Sequence, residues 1–104
     1  MARRAILRPA ARRDLAELYT YIRDERGDPE IAVGYVRRIR TFCESLATFP
    51  ERGTRRDDIR PGVRIVGFER RAVVAFSVTP ETIVIARIFY GGRDYEALLG
   101  AEEA

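Results

Sequence analysis

Three apolar runs fill the stretch VRIVGFERRAVVAFSVTPETIVIARIFYGGRD, from Val63 to Asp94, and they constrain the fold more than any other feature. The runs cover Val63–Phe68, Ala72–Val78 and Ile83–Tyr90, separated only by Glu69-Arg70-Arg71 and Thr79-Pro80-Glu81-Thr82. Valine, isoleucine and phenylalanine dominate them, and such side chains suit a pleated, half-buried surface. A parallel crossover needs roughly a dozen residues, so these short polar connections demand antiparallel hairpins. The stretch reads as a three-stranded meander, and the half of the chain before it reads as the helical layer that covers one face.

That layer follows from helical spacing. Leu15, Leu18, Tyr19 and Ile22, with Ala11 a turn earlier, form one apolar stripe and predict a helix from about Ala10 to Glu25. Pro9 suits its first turn and Gly27 ends it. Asp28-Pro29-Glu30 starts a second helix, with Asp28 as cap and Pro29 at the first helical position. Its buried stripe is Ala32, Val36, Ile39, Cys43 and Leu46, with Tyr35 and Phe42 beside it. The helix is expected to stop near Thr48, because Pro50 biases Phe49 away from helical angles. A link this short between amphipathic helices makes an antiparallel hairpin. Arg4 to Arg8 predicts a short edge strand stopped by Pro9, and Pro50–Gly62 predicts an exposed loop. The expected fold is α+β, in the order β-α-α-β-β-β, an antiparallel sheet with the helical hairpin on one face. Residues 1–104 read as a single domain, with a helical turn over Arg93–Leu99 and residues 100–104 frayed.

Composition then removes much chemistry. All 19 basic residues are arginine, and lysine, histidine, tryptophan, asparagine and glutamine are absent. No histidine triad, lysine Schiff base or His/Cys zinc site is therefore available. Arginine stabilises anions but, with a pKa above ~12, shuttles protons poorly. Residues 1–56 carry a net charge of +5 and residues 57–104 carry −2, so the basic front half suits an anionic partner. No apolar run reaches the ~18 residues of a membrane span, and MARRAILRPAARRD lacks a signal peptide's apolar core. The cytoplasm is the expected compartment, and the lone Cys43 reads as core.

Strand alternation puts Arg64 with Val66 and Phe68. It groups Arg87 with Ile83, Ile85 and Phe89, and Tyr90 with Val84, Ala86 and Ile88, so Arg87 and Tyr90 belong on opposite faces unless the strand bulges. An arginine in an apolar strand is costly to bury unpaired. Arg64 and Arg87 therefore either pair with a carboxylate such as Asp94 or Glu69 or contact a target, the structural role being favoured for the inner-strand Arg87. Tyr19, Phe42, Phe49, Phe68 and Phe76 read as core, whereas Tyr21 and Tyr35 are placed to edge a partner-binding groove. Gly91 and Gly92 release the chain from the sheet, and Arg93, Asp94 and Tyr95 follow as a charged, aromatic segment suited to engaging a target.

Four segments together resemble the RelE/ParE superfamily of bacterial toxins: AARRDLAELYTYI, ESLATFPERGTRR, PGVRIVGF and IARIFYGGRDY. The resemblance spans nearly the whole chain and is strongest to the ParE branch. It implies a toxin that inhibits DNA gyrase without established catalytic chemistry, and that is neutralised by a cognate ParD-like antitoxin in a hetero-oligomeric complex. On this reading the target-binding residues are Arg64, Gly91, Gly92, Arg93, Asp94 and Tyr95. The antitoxin-binding residues are Leu18, Tyr21, Ile22, Tyr35, Arg38 and Phe42. No cofactor, metal, membrane or direct sequence-specific DNA binding by this chain alone is expected. The alternatives are a RelE-like, ribosome-dependent mRNA endoribonuclease and an inactive antitoxin-binding relative. For the nuclease, Arg64 falls on an arginine shared between branches, Arg87 near a late-strand arginine, and Tyr90 where many relatives have histidine. Arg52, Arg55 and Arg56 fall where such nucleases place basic residues, so the runner-up site is Arg55, Arg56, Arg64, Arg87 and Tyr90. A nuclease needs proton donors and acceptors besides cations, and here only tyrosines and carboxylates supply them.

Overall fold

The computed structural model describes residues 3–101. Among them five strands and three helices follow in the order β1 (Arg4–Leu7), α1 (Pro9–Arg26), α2 (Pro29–Ser45), β2 (Thr54–Arg55), β3 (Val63–Phe68), β4 (Ala72–Val78), β5 (Thr82–Tyr90) and α3 (Tyr95–Gly100). The strands form one sheet in the order β1-β5-β4-β3-β2. The meander is antiparallel, as its short connections require. β1 joins β5 in parallel, so the sheet is mixed rather than wholly antiparallel. The chain between them is long enough to make that return.

Local chemistry sets the helix ends. Pro9 opens α1 without a capping side chain, and Gly27 closes it at φ 67°, donating its N–H to the Arg23 carbonyl. Asp28 caps α2 by accepting from the Glu30 N–H, and Pro29 occupies the first turn. α2 stops at Ser45, three residues before the expected Thr48. Leu46, Ala47 and Thr48 instead donate to carbonyls three residues back, a tightened last turn.

The larger core lies between the helical hairpin and the sheet, and includes Leu15, Leu18, Ile22, Ile39, Leu46, Phe76, Ile83 and Ile85. Tyr35 is buried there at 8% exposure while Val36 is only half-buried, so the inner stripe of α2 is rotated slightly towards Tyr35. Phe49, expected in the core, is 55% exposed beneath the Arg52 guanidinium, because the chain has already left α2. A smaller core forms on the other face, where Leu99 of α3 packs with Val63, Ala75 and Phe89. Gly100 is the last residue of α3, and the rest of the expected frayed end lies largely at 102–104, outside the described residues.

Two departures bear on the site. The expected Pro50–Gly62 loop contains β2, whose Thr54 and Arg55 pair with Ile65 and Arg64. Gly53, at φ 75°, lets the chain pass against β3; a Cβ there would overlap the Ile65 carbonyl. Secondly, β5 is irregular: Phe76 pairs with Ile85 but Ala75 pairs with Arg87, leaving Ala86 as the extra residue of a bulge. The bulge changes the alternation. Ile83, Ile85, Ile88 and Tyr90 all contribute to the helix-side core, whereas Phe89 belongs to the opposite core. Arg87 thus separates from Ile83 and Ile85, stays with Phe89, and remains on the face opposite Tyr90.

Candidate functional site

Burying Tyr35 and turning Tyr90 towards the helices builds a chain of rings. Tyr21 of α1 meets Tyr90 edge-on at 5.6 Å, Tyr90 meets Tyr35 at 5.5 Å, Tyr35 meets Phe68 at 5.8 Å, and Phe68 meets Phe42 at 5.1 Å. Edge-to-face pairs at such distances add about 0.5–1.5 kcal/mol each beyond area burial. The outermost ring, Tyr21, is 51% exposed and stands as a ridge between two depressions. A groove of about 660 Å³ runs between the helical hairpin and the β3–β4 turn, past Tyr21, Ile22, Ile31, Tyr35, Arg38, Glu69, Arg71 and Tyr90. On the other side, a cleft of about 270 Å³ is lined by Asp14, Glu17, Leu18, Tyr21, Ile88, Tyr90, Gly91 and Arg93.

The groove end at the β3–β4 turn is ionic and strained. Arg38 donates two hydrogen bonds to Glu69, from Nε at 2.9 Å and Nη2 at 3.1 Å, while its guanidinium lies 5.2 Å from the Tyr35 ring centre. The pair holds the Glu69 carboxyl below its ordinary range. Glu69 and Arg70 adopt φ of 48° and 62°, a left-handed geometry that costs a non-glycine residue about 1–2 kcal/mol. The Tyr35 hydroxyl is buried and accepts or donates no hydrogen bond among the described residues. Burial, then the neighbouring Tyr90 and Glu69, push its pKa up to about 12, so it remains a hydrogen-bond donor at physiological pH.

Of the expected antitoxin residues, Tyr21, Ile22, Tyr35 and Arg38 line this groove. Leu18 lies in the adjoining cleft, and Phe42 extends the ring series through Phe68. Glu69, Arg71, Ile31 and Tyr90 also line the groove, though residue spacing did not assign them there. Only pairing register, with the bulge, brings Tyr90 to it.

The five residues of the nuclease reading do not converge on one site: Arg55 and Arg64 are cross-strand partners on β2 and β3, with Arg56 next in the chain, whereas Arg87 and Tyr90 lie on β5 on opposite faces of the sheet. Arg55 pairs with Asp57 at 3.2 Å. Arg56 grips Asp58 and Glu96, at 2.9 and 2.7 Å, and so ties α3 to the loop before β3. Arg64 donates to the backbone carbonyls of Glu51 and Arg52, at 2.6 and 3.1 Å, rather than to a carboxylate. Arg87 does pair with a carboxylate, but it is Asp14 and neither Asp94 nor Glu69. Tyr90 belongs to the ring series on the helix side.

Asp14 carries a structural role missed in the sequence. β1 ends at Leu7, so β5 beyond Ile85 is an open edge, and α1 passes along it. There the Asp14 carboxylate accepts from the Ile88 backbone N–H at 2.8 Å and from Arg87 Nε and Nη2 at 2.7 and 2.9 Å. A side chain thus completes the ladder where a strand is absent. Position 14 falls on the stripe of Ala11, Leu15, Leu18 and Ile22, and a carboxylate on a core stripe was the available signal.

The segment from Gly91 is ordered rather than loose. Gly91 and Gly92 turn the chain at φ 77° and 76°. Asp94 accepts from the Ala97 N–H as the cap of α3, and the Tyr95 ring stands 6.3 Å from Phe89. Arg93 lines the cleft beside Tyr21. Cys43 is fully buried, and burial raises its thiol pKa to about 12.

A helical hairpin laid on one face of a small mixed sheet is a ParE-like fold. The chain matches the family described as ParE toxin of type II toxin-antitoxin system, parDE, over residues 5–95, and it belongs to that family. Among solved structures it is similar to a chain of the "Chromosomal ParDE TA system from P. aeruginosa", with 27% identity and a TM-score of 0.74 over 86% of this chain and 97% of that one. Comparison with curated proteins gives no significant match. Among the described residues, no helix is long and apolar enough to cross a membrane.

Proposed function

We propose that this ParE-family toxin acts in the cytoplasm by binding and inhibiting DNA gyrase, without catalysis of its own, and that a ParD-type antitoxin neutralises it by laying a segment in the groove between the helical hairpin and the β3–β4 turn. The observation that carries the antitoxin part is the groove itself. It presents a half-exposed tyrosine and a run of packed rings next to charged side chains, the composition of an interface anchor. A disordered antitoxin segment gains order by covering such a surface. Inhibition by binding is favoured over RNA cleavage because Arg55, Arg56, Arg64 and Arg87 are already engaged by acceptors of this chain. The proposed target contacts are the segment from Gly91 to Tyr95 and, apart from it in a separate depression beside Phe49, Arg52 and Val78, Arg64.

Two measurements test this. Purified toxin should inhibit gyrase supercoiling, and cells expressing it without antitoxin should show DNA-damage signalling with intact messages; message cleavage on ribosomes without damage would reject the gyrase reading. Tyr21→Ala, at a half-exposed position, should weaken antitoxin binding about tenfold or more. Unchanged affinity would place the antitoxin elsewhere.

A further inference from the structure

Two unfavourable features and an exposed, unpaired charge meet at one end of the groove. The Tyr35 hydroxyl is buried and unpartnered, in a residue only 8% exposed. The β3–β4 turn places two non-glycine residues, Glu69 and Arg70, in left-handed backbone. Arg71, which lines the groove beside them, makes no ion pair within 4.0 Å among the described residues. Buried polar groups are rarely left unmatched, and local strain concentrates where a protein meets its ligands.

We propose that Tyr35, Arg38 and Arg71 form a carboxylate-reading corner, in which Glu69 holds the place of an acidic side chain brought by the antitoxin segment. The inference rests on the antitoxin reading above and adds which chemistry the groove selects. The corner offers donors from two guanidinium groups and one phenol, and the internal acceptor is Glu69, which engages Arg38 alone. An incoming carboxylate seated between Arg38 and Arg71 takes over the Arg38 fork, meets the idle Arg71 charge, and accepts from the Tyr35 hydroxyl. Glu69 is free to leave because its side chain is 41% exposed and its departure returns the carboxylate to water. The burial that holds the phenol protonated supports its use as a donor. A basic ligand side chain does not fit, since it would face both arginines.

Calorimetric titration of the purified toxin with its cognate antitoxin tests the assignment. Each antitoxin Asp and Glu is replaced in turn by Asn or Gln. One replacement should lower affinity about tenfold or more against the native toxin and far less against Arg71→Ala. Tyr35→Phe should weaken binding several-fold without lowering the melting temperature, because it removes only an unpartnered hydroxyl. Glu69→Gln should tighten binding, since the competing charge is gone. Weaker binding by Glu69→Gln, or additive effects of the antitoxin replacements with Arg71→Ala, would overturn the corner. Tight binding indifferent to all three toxin changes would likewise overturn it while leaving the antitoxin reading intact. No binding by native toxin would overturn both.

Discussion

Arg87→Met is expected to cost most of its stability through the partner it abandons. In the native fold the Asp14 side chain is 4% exposed and that of Arg87 is 16% exposed, with the shortest contact at 2.7 Å. Removing the guanidinium leaves a buried carboxylate held by the Ile88 N–H, and breaking such pairs costs about 3–5 kcal/mol. Loss of the guanidinium over Phe89, 4.9 Å from the ring centre, adds about 0.5–1 kcal/mol. The slight exposure of Arg87 favours the lower end of both, about 3.5 kcal/mol in all. Small proteins are stable by only about 5–15 kcal/mol. The melting temperature should therefore fall by roughly 12–20 °C.

The double change Asp14→Asn with Arg87→Met should recover most of this. Asparagine still accepts from Ile88, methionine fills much of the arginine's length, and no charge remains buried, so the pair should lie within about 1 kcal/mol of native. Urea unfolding of the four proteins in this cycle measures the coupling, expected to be about 2.5 kcal/mol or more. The reasoning is refuted if Arg87→Met alone loses less than about 1 kcal/mol, or if the double variant is no better than the single. The same cycle separates scaffold from target contact. A folded double variant that stays toxic to cells makes Arg87 a structural residue, whereas one that folds and loses toxicity makes it a contact.

Two further outcomes are expected. Gly53→Ala should destabilise by about 2 kcal/mol or more, combining left-handed strain with overlap on the Ile65 carbonyl, while Gly62→Ala, also left-handed but facing open space, should cost only about 1 kcal/mol; equal losses in thermal unfolding would show that the approach of β2 to β3 is not tight. In an absorbance titration of the five tyrosines, one tyrosinate step absent from Tyr35→Phe should appear only near pH 12. Because this group's folded pKa is raised from 10.0, its contribution to stability is present below pH 10 and is lost as the pH rises through about 12; a step near pH 10 would mean that the phenol is solvated.

Much of this architecture was legible in residue order because it rests on local rules. The three apolar runs with short polar breaks imply their hairpins. Asp28-Pro29 and Gly27 mark helix boundaries through backbone chemistry that acts within a few residues. The excluded histidine, lysine and zinc chemistry was a matter of composition alone. The family resemblance lay in the same order of segments, and the match over residues 5–95 shows it.

Tertiary structure decided what alternation and spacing leave free. A single extra residue, Ala86, shifts the parity of β5 and turns Tyr90 to the helices, and no local propensity at Ala86 announces that bulge. The partner of Arg87 lies 73 positions away on a helix that passes the open sheet edge, so the nearer candidates Glu69 and Asp94 had no geometric claim on it. Arg64 likewise found backbone carbonyls of a loop instead of a carboxylate. Phe49 emerged into solvent because α2 ended early, and Tyr35 went inside because the sheet presented Phe68 and Tyr90 to it. Periodicity along one element identifies which side chains share a face. Which other element meets that face, and which charge is left to answer another, depends on contacts distant in the chain, and there the groove and its ionic corner were made.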